Sequence, residues 1–143
     1  MRVVVVAGSS LNVELDAAAV VSADLLVAVD WGAEALARAG LAPAILVGDL
    51  DSITIRTRET LEAQGVQVVI LPTAKDETDT EAALRLVIAL GADDIVVYGA
   101  LGGPRLDHLV GNLLLLSSPW LADVRVRMVD DRHEAFLLSL IHI

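Results

Sequence analysis

The chain has 143 residues, no cysteine and a formal net charge of −10. This length predicts a single domain, the lack of cysteine excludes disulfides and thiolate metal sites, and the negative charge disfavours nucleic acid or an anionic membrane as a partner. The apolar run in the opening "MRVVVVAGSS" is shorter than that of a signal peptide. No apolar run in the chain reaches the roughly 18 residues of a membrane helix. We therefore expect a soluble, cytoplasmic protein.

Short runs rich in β-branched residues predict six strands, with helical segments between them. The predicted strands are "VVVVA" (3–7), "LLVAV" (25–29), "AILVG" (44–48), "VQVVIL" (66–71), "DIVVYGA" (94–100) and "VRVRMV" (124–129). The predicted helices cover 32–40, 54–65, 76–91 and 106–118. The first five strands are almost continuously apolar, as parallel strands buried on both faces are, whereas the sixth alternates and predicts an edge or half-exposed strand. This alternation predicts an α/β fold, with a doubly wound, mainly parallel sheet and helices on both faces.

The third predicted strand ends in "LVGDLDS", which places Asp49 and Asp51 at its carboxyl end. Ligands bind at the carboxyl ends of the strands in such sheets, and two carboxylates there can share a hard cation such as Mg²⁺. The alternative is a polar turn in which Asp51 and Ser52 begin the following helix.

The segment "KDETDTE" (75–81) has five ionisable side chains out of seven. Thr78 and Glu81 have the spacing of a capping box, which accounts for one or two of these residues as helix caps. The remaining acid at a helix N-terminus, where a phosphate can also bind, indicates a metal–phosphate site in which Lys75 would offset charge.

The segment "GALGGPRLDH" (99–108) combines a glycine cluster with Arg105, Asp107 and His108. Glycines allow the backbone to approach a ligand closely, and arginine is a bidentate phosphate donor. The alternative is a strand-to-helix turn in which Asp107 caps the helix and Arg105 is its surface partner. The pattern matches neither the GxGxxG nor the P-loop motif.

Four segments together resemble the catalytic domain of thiamine pyrophosphokinase, over roughly residues 1–130. They are "DWGA" (30–33), "VGDLDSI" (47–53), "KDETDTEAAL" (75–84) and "GGPRLDH" (102–108) with Asn112 after it. Their order, spacing and position at strand ends are similar to those of the family. The resemblance implies an enzyme that transfers a pyrophosphoryl group from ATP to thiamine, with Mg²⁺ as the cofactor, and that gives thiamine diphosphate and AMP.

The resemblance also implies roles for individual residues. It makes Asp49, Asp51 and Asp79 the Mg²⁺ ligands. The implied reaction also needs an acceptor for the hydroxyl proton, and Asp79 and Asp49 are the candidates. It adds Arg105 and Asp107 to the catalytic residues. The implied nucleotide and phosphate site comprises Asp30, Ser52, Lys75, Asp76, Thr78, Gly102, Gly103, Arg105, His108 and Asn112.

Two positions and the length depart from the family pattern. Trp31 stands where a second glycine is usual, so its side chain would crowd a ligand or stack on it, and Pro104 is inserted before Arg105. Family members form homodimers and carry a second, all-β domain that completes the thiamine site. We expect the catalytic domain at 1–130 and only the start of that β domain at 131–143, hence weak or absent thiamine binding by this chain.

Two other functions stay open at this point. A related pyrophosphokinase could act on a hydroxymethyl-pterin with the same phosphate and metal motifs. A non-catalytic nucleotide-binding module is the second alternative, although it would need fewer Mg²⁺ ligands.

Overall fold

The computed structural model of the protein describes residues 1–8, 14–49, 51, 53–72 and 76–138. The strands are β1 (Arg2–Val6), β2 (Leu25–Val29), β3 (Ile45–Gly48), β4 (Gln67–Ile70), β5 (Asp94–Tyr98), β6 (Arg125–Val129) and β7 (Glu134–Phe136). The helices are α1 (Ala17–Val21), α2 (Gly32–Arg38), α3 (Ile55–Ala63), α4 (Asp79–Ala89) and α5 (Leu106–Leu115), and a 3₁₀ turn covers Pro119–Leu121.

The seven strands form one sheet in the order β4-β3-β2-β1-β5-β6-β7. All neighbouring pairs are parallel except β6 and β7, which pair antiparallel. The chain runs outward from β1 to β4 and then returns to β5 on the other side of β1. This arrangement confirms the predicted doubly wound sheet and places its topological switch point between β1 and β5, where ligands bind in such folds.

Two apolar layers, one on each face of the sheet, hold the helices in place. Buried residues of α4 and α5 pack on one face together with alternate strand residues such as Val5, Val97 and Met128. Residues of α2 and α3 pack on the other face with Val6 and Leu46. Most of these strand residues are fully buried, and each fully buried Val or Leu contributes roughly 1.5–3 kcal/mol. The strand ends are therefore fixed by a core that is packed on both sides.

The structure differs from the sequence-based expectation at several elements. Helix α1 was not predicted, because only five residues form it; Asp16 caps it by accepting a hydrogen bond from the Ala18 N–H. Strand β4 was expected to be buried on both faces, but it is an edge strand with an exposed Ile70. Strand β6 lies inside the sheet with β7 as the edge, and its alternation reflects half-exposure, as predicted.

Strand β7 lies within residues 131–143, which were predicted to begin a second, all-β domain. Its residues hydrogen-bond to β6 within the same seven-stranded sheet. The start of a β domain at 131–143 stays a prediction, and residues 139–143 of that range lie outside the described residues. None of the helices in the described ranges is long and apolar enough to cross a bilayer.

The turn from β2 into α2 packs tightly against β1. A Cβ added to Gly32, the first residue of α2, would lie 1.8 Å from the backbone oxygen of Val6 and 2.6 Å from its carbonyl carbon. Backbone atoms of a central strand cannot move aside easily, so only glycine fits here. Gly32 therefore allows the first turn of α2 to pack directly against the backbone of β1.

We expect Gly32→Ala to lower the free energy of unfolding by roughly 1–3 kcal/mol through overpacking. Gly111→Ala is the matched control, since Gly111 also lies in a helix but nothing lies within 4 Å of its added Cβ. That control should stabilise the protein by about 0.5–1 kcal/mol, because alanine has the higher helix propensity. Urea unfolding of both variants checks the pair, and equal midpoints would contradict the packing argument.

Candidate functional site

Polar residues collect at the carboxyl ends of the central strands, beside the topological switch point. Asp30 follows β2, Asp49 follows β3 and Gly99 follows β5. The N-terminal turns of α4 and α5 approach the same edge and supply Asp79 and Asp107. These elements enclose a pocket of about 370 Å³.

Three carboxylates converge in this pocket. One oxygen atom each from Asp30, Asp49 and Asp79 lies within 4.8 Å of the other two, and all three residues are half-buried. They come from three separate elements that are far apart in sequence. We call these three residues the carboxylate group.

The backbone of Asp30 is unusual for a residue other than glycine. Its φ is +45°, in the left-handed region, which aspartate tolerates better than most residues. Its N–H donates to the Val47 carbonyl at 3.0 Å, and its own carbonyl accepts from the Ala33 N–H at 3.1 Å. Backbone in this region costs of order 1–3 kcal/mol and is concentrated at functional sites. The turn therefore holds the Asp30 carboxylate, whose Oδ1 is buried, at the end of β3.

Gly48 leaves the space that this carboxylate occupies. A Cβ at position 48 would lie 1.8 Å from Asp30 Oδ1 and 2.7 Å from its Cγ. Gly48 also has a φ of +153°, which side-chain-bearing residues rarely adopt. The glycine in "VGDLDS" is thus required both by its own backbone and by the neighbouring aspartate.

The two aspartates after β3 have different positions. Asp49 lines the pocket, and its Oδ1 accepts a hydrogen bond from the Asp51 N–H at 3.1 Å. The Asp51 side chain is exposed and is not part of the carboxylate group. The next helix is capped not by Asp51 but by Thr54, whose side chain accepts from the Thr57 N–H at 3.1 Å. Ser52 itself lies outside the described residues.

Helix α4 presents Asp79 as its first residue. Thr78 caps the helix by accepting from the Glu81 N–H at 3.1 Å, as predicted. Glu81 instead bonds Arg85, with 2.8 Å between Oε1 and Nη2. The helix dipole favours a carboxylate at this end, so the position of Asp79 is compatible with a stable helix.

Arg105 and Asp107 form an ion pair at the start of α5. The Arg105 Nε and Nη2 donate to the two Asp107 oxygens at 3.1 and 2.5 Å. The hydrogen bond from Arg105 holds the pKa of the Asp107 carboxyl below its ordinary value. Arg105 is also the N-cap residue, although its side chain makes no capping bond, so the predicted cap Asp107 is instead the second residue of the helix. Both side chains are 63% exposed.

The pocket brings together some predicted site residues and leaves others aside. Asp30, Asp49, Thr78, Asp79, Asp107, His108 and Asn112 line it. Asp51, Asp76, Gly102, Gly103 and Arg105 are described but do not line it. Lys75 lies outside the described residues. The pocket also includes residues that were not predicted as site residues: Ala7, Gly8, Val29, Trp31, Glu77, Thr80, Gly99 and Gly111.

The charge of the pocket suits a divalent cation. Five carboxylates line it, those of Asp30, Asp49, Glu77, Asp79 and Asp107, while no lysine or arginine does so among the described residues. Oxygen ligands without thiolate are typical of Mg²⁺ rather than of a softer metal. The carboxylate group therefore fits Mg²⁺ by donor type and by convergence.

A larger cavity of about 760 Å³ lies on one sheet face, between α1 and β6. Its charges include an ion pair between Arg127 and Glu134, with 3.2 Å between the charged atoms. No group of three metal-binding side chains converges there among the described residues. We therefore assign the site to the smaller pocket.

Comparisons with known proteins identify the family of the chain. The family model described as "Thiamin pyrophosphokinase, catalytic domain" matches residues 17–128. The chain is 33% identical over 109 residues to "Thiamine pyrophosphokinase" of Bacillus subtilis, an alignment that covers 76% of this chain and 50% of that protein.

Solved structures give the same result. A crystal structure of thiamine pyrophosphokinase from Bacillus subtilis superposes with a TM-score of 0.79 at 31% identity, over 94% of this chain and 62% of that one. Thiamin pyrophosphokinase from Candida albicans has a TM-score of 0.81 at 18% identity, over 96% of this chain and 61% of that one, which shows a shared fold. In the sequence alignment the chain spans half the length of the Bacillus subtilis protein. By the extent of the family match and the likeness to these relatives, the chain belongs to the thiamin pyrophosphokinase catalytic-domain family.

Proposed function

We propose that this domain transfers a pyrophosphoryl group from ATP to thiamine. The thiamine hydroxyl oxygen would attack the β-phosphorus of ATP, and the bond from that phosphorus to the oxygen bridging to the α-phosphate would break. The products are thiamine diphosphate and AMP, and the hydroxyl proton passes to a carboxylate of the pocket. The observation that carries the proposal is the convergence of Asp30, Asp49 and Asp79 at the switch point of the family's fold.

The carboxylate group would hold Mg²⁺ in this proposal. When bound, Mg²⁺ supplies positive charge to phosphoryl oxygens, on which negative charge builds during transfer. Asp51 stays in the proposal as a further ligand, since its exposed side chain follows Asp49 by two residues. Asp49 and Asp79 are the candidates for the proton acceptor.

Arg105 would bind phosphate by exchanging its partner. Its pair with Asp107 is largely exposed, and such pairs contribute little to stability because solvent screens them. A phosphate accepts the same two parallel hydrogen bonds and carries more charge. The guanidinium can therefore leave Asp107 for an arriving phosphate at little cost, despite the proline inserted before it.

Other features of the proposal rest on the family resemblance. We infer a homodimer, a cytoplasmic location, which the absence of cysteine suits, and no nucleic-acid partner, given the net charge of −10. The names of the relatives specify thiamine, and the pterin acceptor gains no support from them. AMP formation distinguishes the proposed enzyme from a module that binds nucleotide without catalysis.

The test is Mg²⁺-dependent AMP formation from ATP, measured with and without thiamine. Asp49→Asn and Asp79→Asn should each lower the rate at least about 100-fold, because each removes a charged ligand. Asp123→Asn, an exposed aspartate outside the pocket, is the matched control and should retain the parent rate.

The contrary outcomes separate the alternatives. ATP binding that requires Mg²⁺ and the two aspartates, without AMP formation, would support the metal site and would point either to a nucleotide-binding module or to a need for the family's second domain in thiamine binding. Variants equal to the parent in both assays would remove Asp49 and Asp79 from the site.

A second prediction concerns how Asp30 is positioned. Gly48→Ala should weaken Mn²⁺ binding at least about tenfold in calorimetry, because the added Cβ displaces the Asp30 carboxylate. Gly91→Ala is the matched control: Gly91 also has a positive φ, +100°, but its added Cβ meets nothing within 4 Å. Both variants carry backbone strain, so only a difference in metal affinity reports on Asp30.

The Asp30→Ala background sharpens this comparison. There, Gly48→Ala should cause no further loss of Mn²⁺ affinity, since the carboxylate it displaces is gone. An equal loss in both backgrounds would show that Gly48 acts on the fold and not through Asp30.

A further inference from the structure

Trp31 lies in the same pocket as the carboxylate group and has no role in the reaction proposed above. It lines the pocket directly after Asp30 and is 41% exposed. Of the described residues that line the pocket, it alone is a tryptophan, tyrosine or phenylalanine. An indole left half in solvent inside a pocket offers a flat apolar face to a ligand.

The start of this side chain is fixed by close packing against the end of β1. A Cβ added to Gly8 would lie 2.3 Å from the Trp31 Cβ and 2.7 Å from its Cα. The Trp31 carbonyl also accepts from the N–H groups of Glu34 and Ala35, at 3.0 and 3.3 Å. The indole therefore projects from a well-defined point.

We propose that the Trp31 indole stacks on the cationic heteroaromatic ring of the acceptor substrate, an inference that rests on the proposed function. The ring in question is the thiazolium of thiamine. Stacking there would make Trp31 a specificity-determining residue for the acceptor.

Distance along the two substrates favours the acceptor ring over the adenine of ATP. The attacking oxygen must come within about 3–3.5 Å of the β-phosphorus, and only two carbon atoms separate that oxygen from the thiazolium ring. Adenine is separated from the β-phosphorus by the ribose and the α-phosphate. Trp31 follows Asp30 of the carboxylate group in the chain and lines the same pocket, so the substrate ring that lies nearer the reacting atoms is the better candidate for its partner.

Charge favours the same ligand. The thiazolium is a permanent cation, and a cation over an indole face gains more than a neutral ring does, particularly where water is partly excluded. The carboxylates that line the pocket attract a cation further. The protein already uses this contact elsewhere, since the Arg85 guanidinium carbon lies 4.2 Å from the centre of the Trp120 ring.

Trp120 provides an internal control for an experiment by nuclear magnetic resonance. The chain has two tryptophans, so a ¹⁵N-labelled sample gives two indole N–H signals, which Trp120→Phe assigns. Thiamine at millimolar concentration, with Mg²⁺ present, should shift the Trp31 signal and leave that of Trp120 unchanged. ATP with Mg²⁺, in a separate sample, should shift Trp31 much less than thiamine does.

Variants and ligand fragments then test the stacking itself. Trp31→Leu should weaken thiamine binding roughly threefold to thirtyfold, the range of a cation–π contact, whereas Trp31→Phe should weaken it less. The neutral hydroxyethyl-thiazole should bind more weakly than its N-methylated, cationic form to the parent, and this difference should shrink in Trp31→Leu. ATP affinity should be the same in all of these variants.

Three results would overturn the inference. The first is a Trp31 signal that moves with ATP and not with thiamine. The second is thiamine binding that leaves this signal in place. The third is no detectable thiamine binding at about 10 mM thiamine. Failure of the proposed function alone is distinguishable, because thiamine would then shift the Trp31 signal in a parent chain that forms no AMP from ATP and thiamine.

Discussion

Three negatively charged side chains held close together are the constraint on which this site depends. Carboxylate oxygens of Asp30, Asp49 and Asp79 lie within 4.8 Å of one another. At an effective dielectric constant of about 20, two unit charges at that separation repel by roughly 3–4 kcal/mol. The fold must oppose this repulsion until a cation relieves it. A cation bound there would be attracted to all three carboxylates, and this attraction would be the source of its affinity.

The doubly wound sheet supplies the necessary rigidity. Its central strands are buried on both faces, so the positions of their carboxyl ends are fixed by core packing. Two glycines then set the details: Gly32 lets α2 begin against the Val6 carbonyl, and Gly48 leaves room for the Asp30 carboxylate. The left-handed backbone of Asp30 is the strained point that this packing maintains. The packing of the core thus determines the positions of the carboxylate oxygen atoms at the edge of the sheet.

Most of the fold could be predicted from hydrophobic pattern, because long apolar runs and capped helices are local signals. Helix α1 was missed because five alanine and valine residues give no clear helical periodicity, and β4 was misjudged because an edge strand can be as apolar as a central one. The first error comes from the shortness of the helix, and the second from tertiary context, which a single segment does not carry.

The site was predicted less completely than the fold. Asp49 and Asp79 were expected as metal ligands, and both belong to the carboxylate group. Asp30 was expected near the nucleotide, and its place in the group follows from the pairing of β2 with β3. If β2 and β3 are assumed to be neighbours, the aspartate at the end of each strand predicts that Asp30 and Asp49 lie close together. The exposed direction of Asp51 and the pairing of Arg105 with Asp107 depend on side-chain orientation, which spacing in the sequence does not determine.

The most direct measurement is a crystal structure of the chain grown with Mn²⁺, with the ion located by its anomalous scattering. Our account predicts one peak in the pocket, with oxygen atoms of Asp30, Asp49 and Asp79 within about 2.5 Å of it. An ion held by Asp49 and Asp51 while the Asp30 carboxylate points away would contradict the account. So would a pocket that contains no ion at a saturating Mn²⁺ concentration.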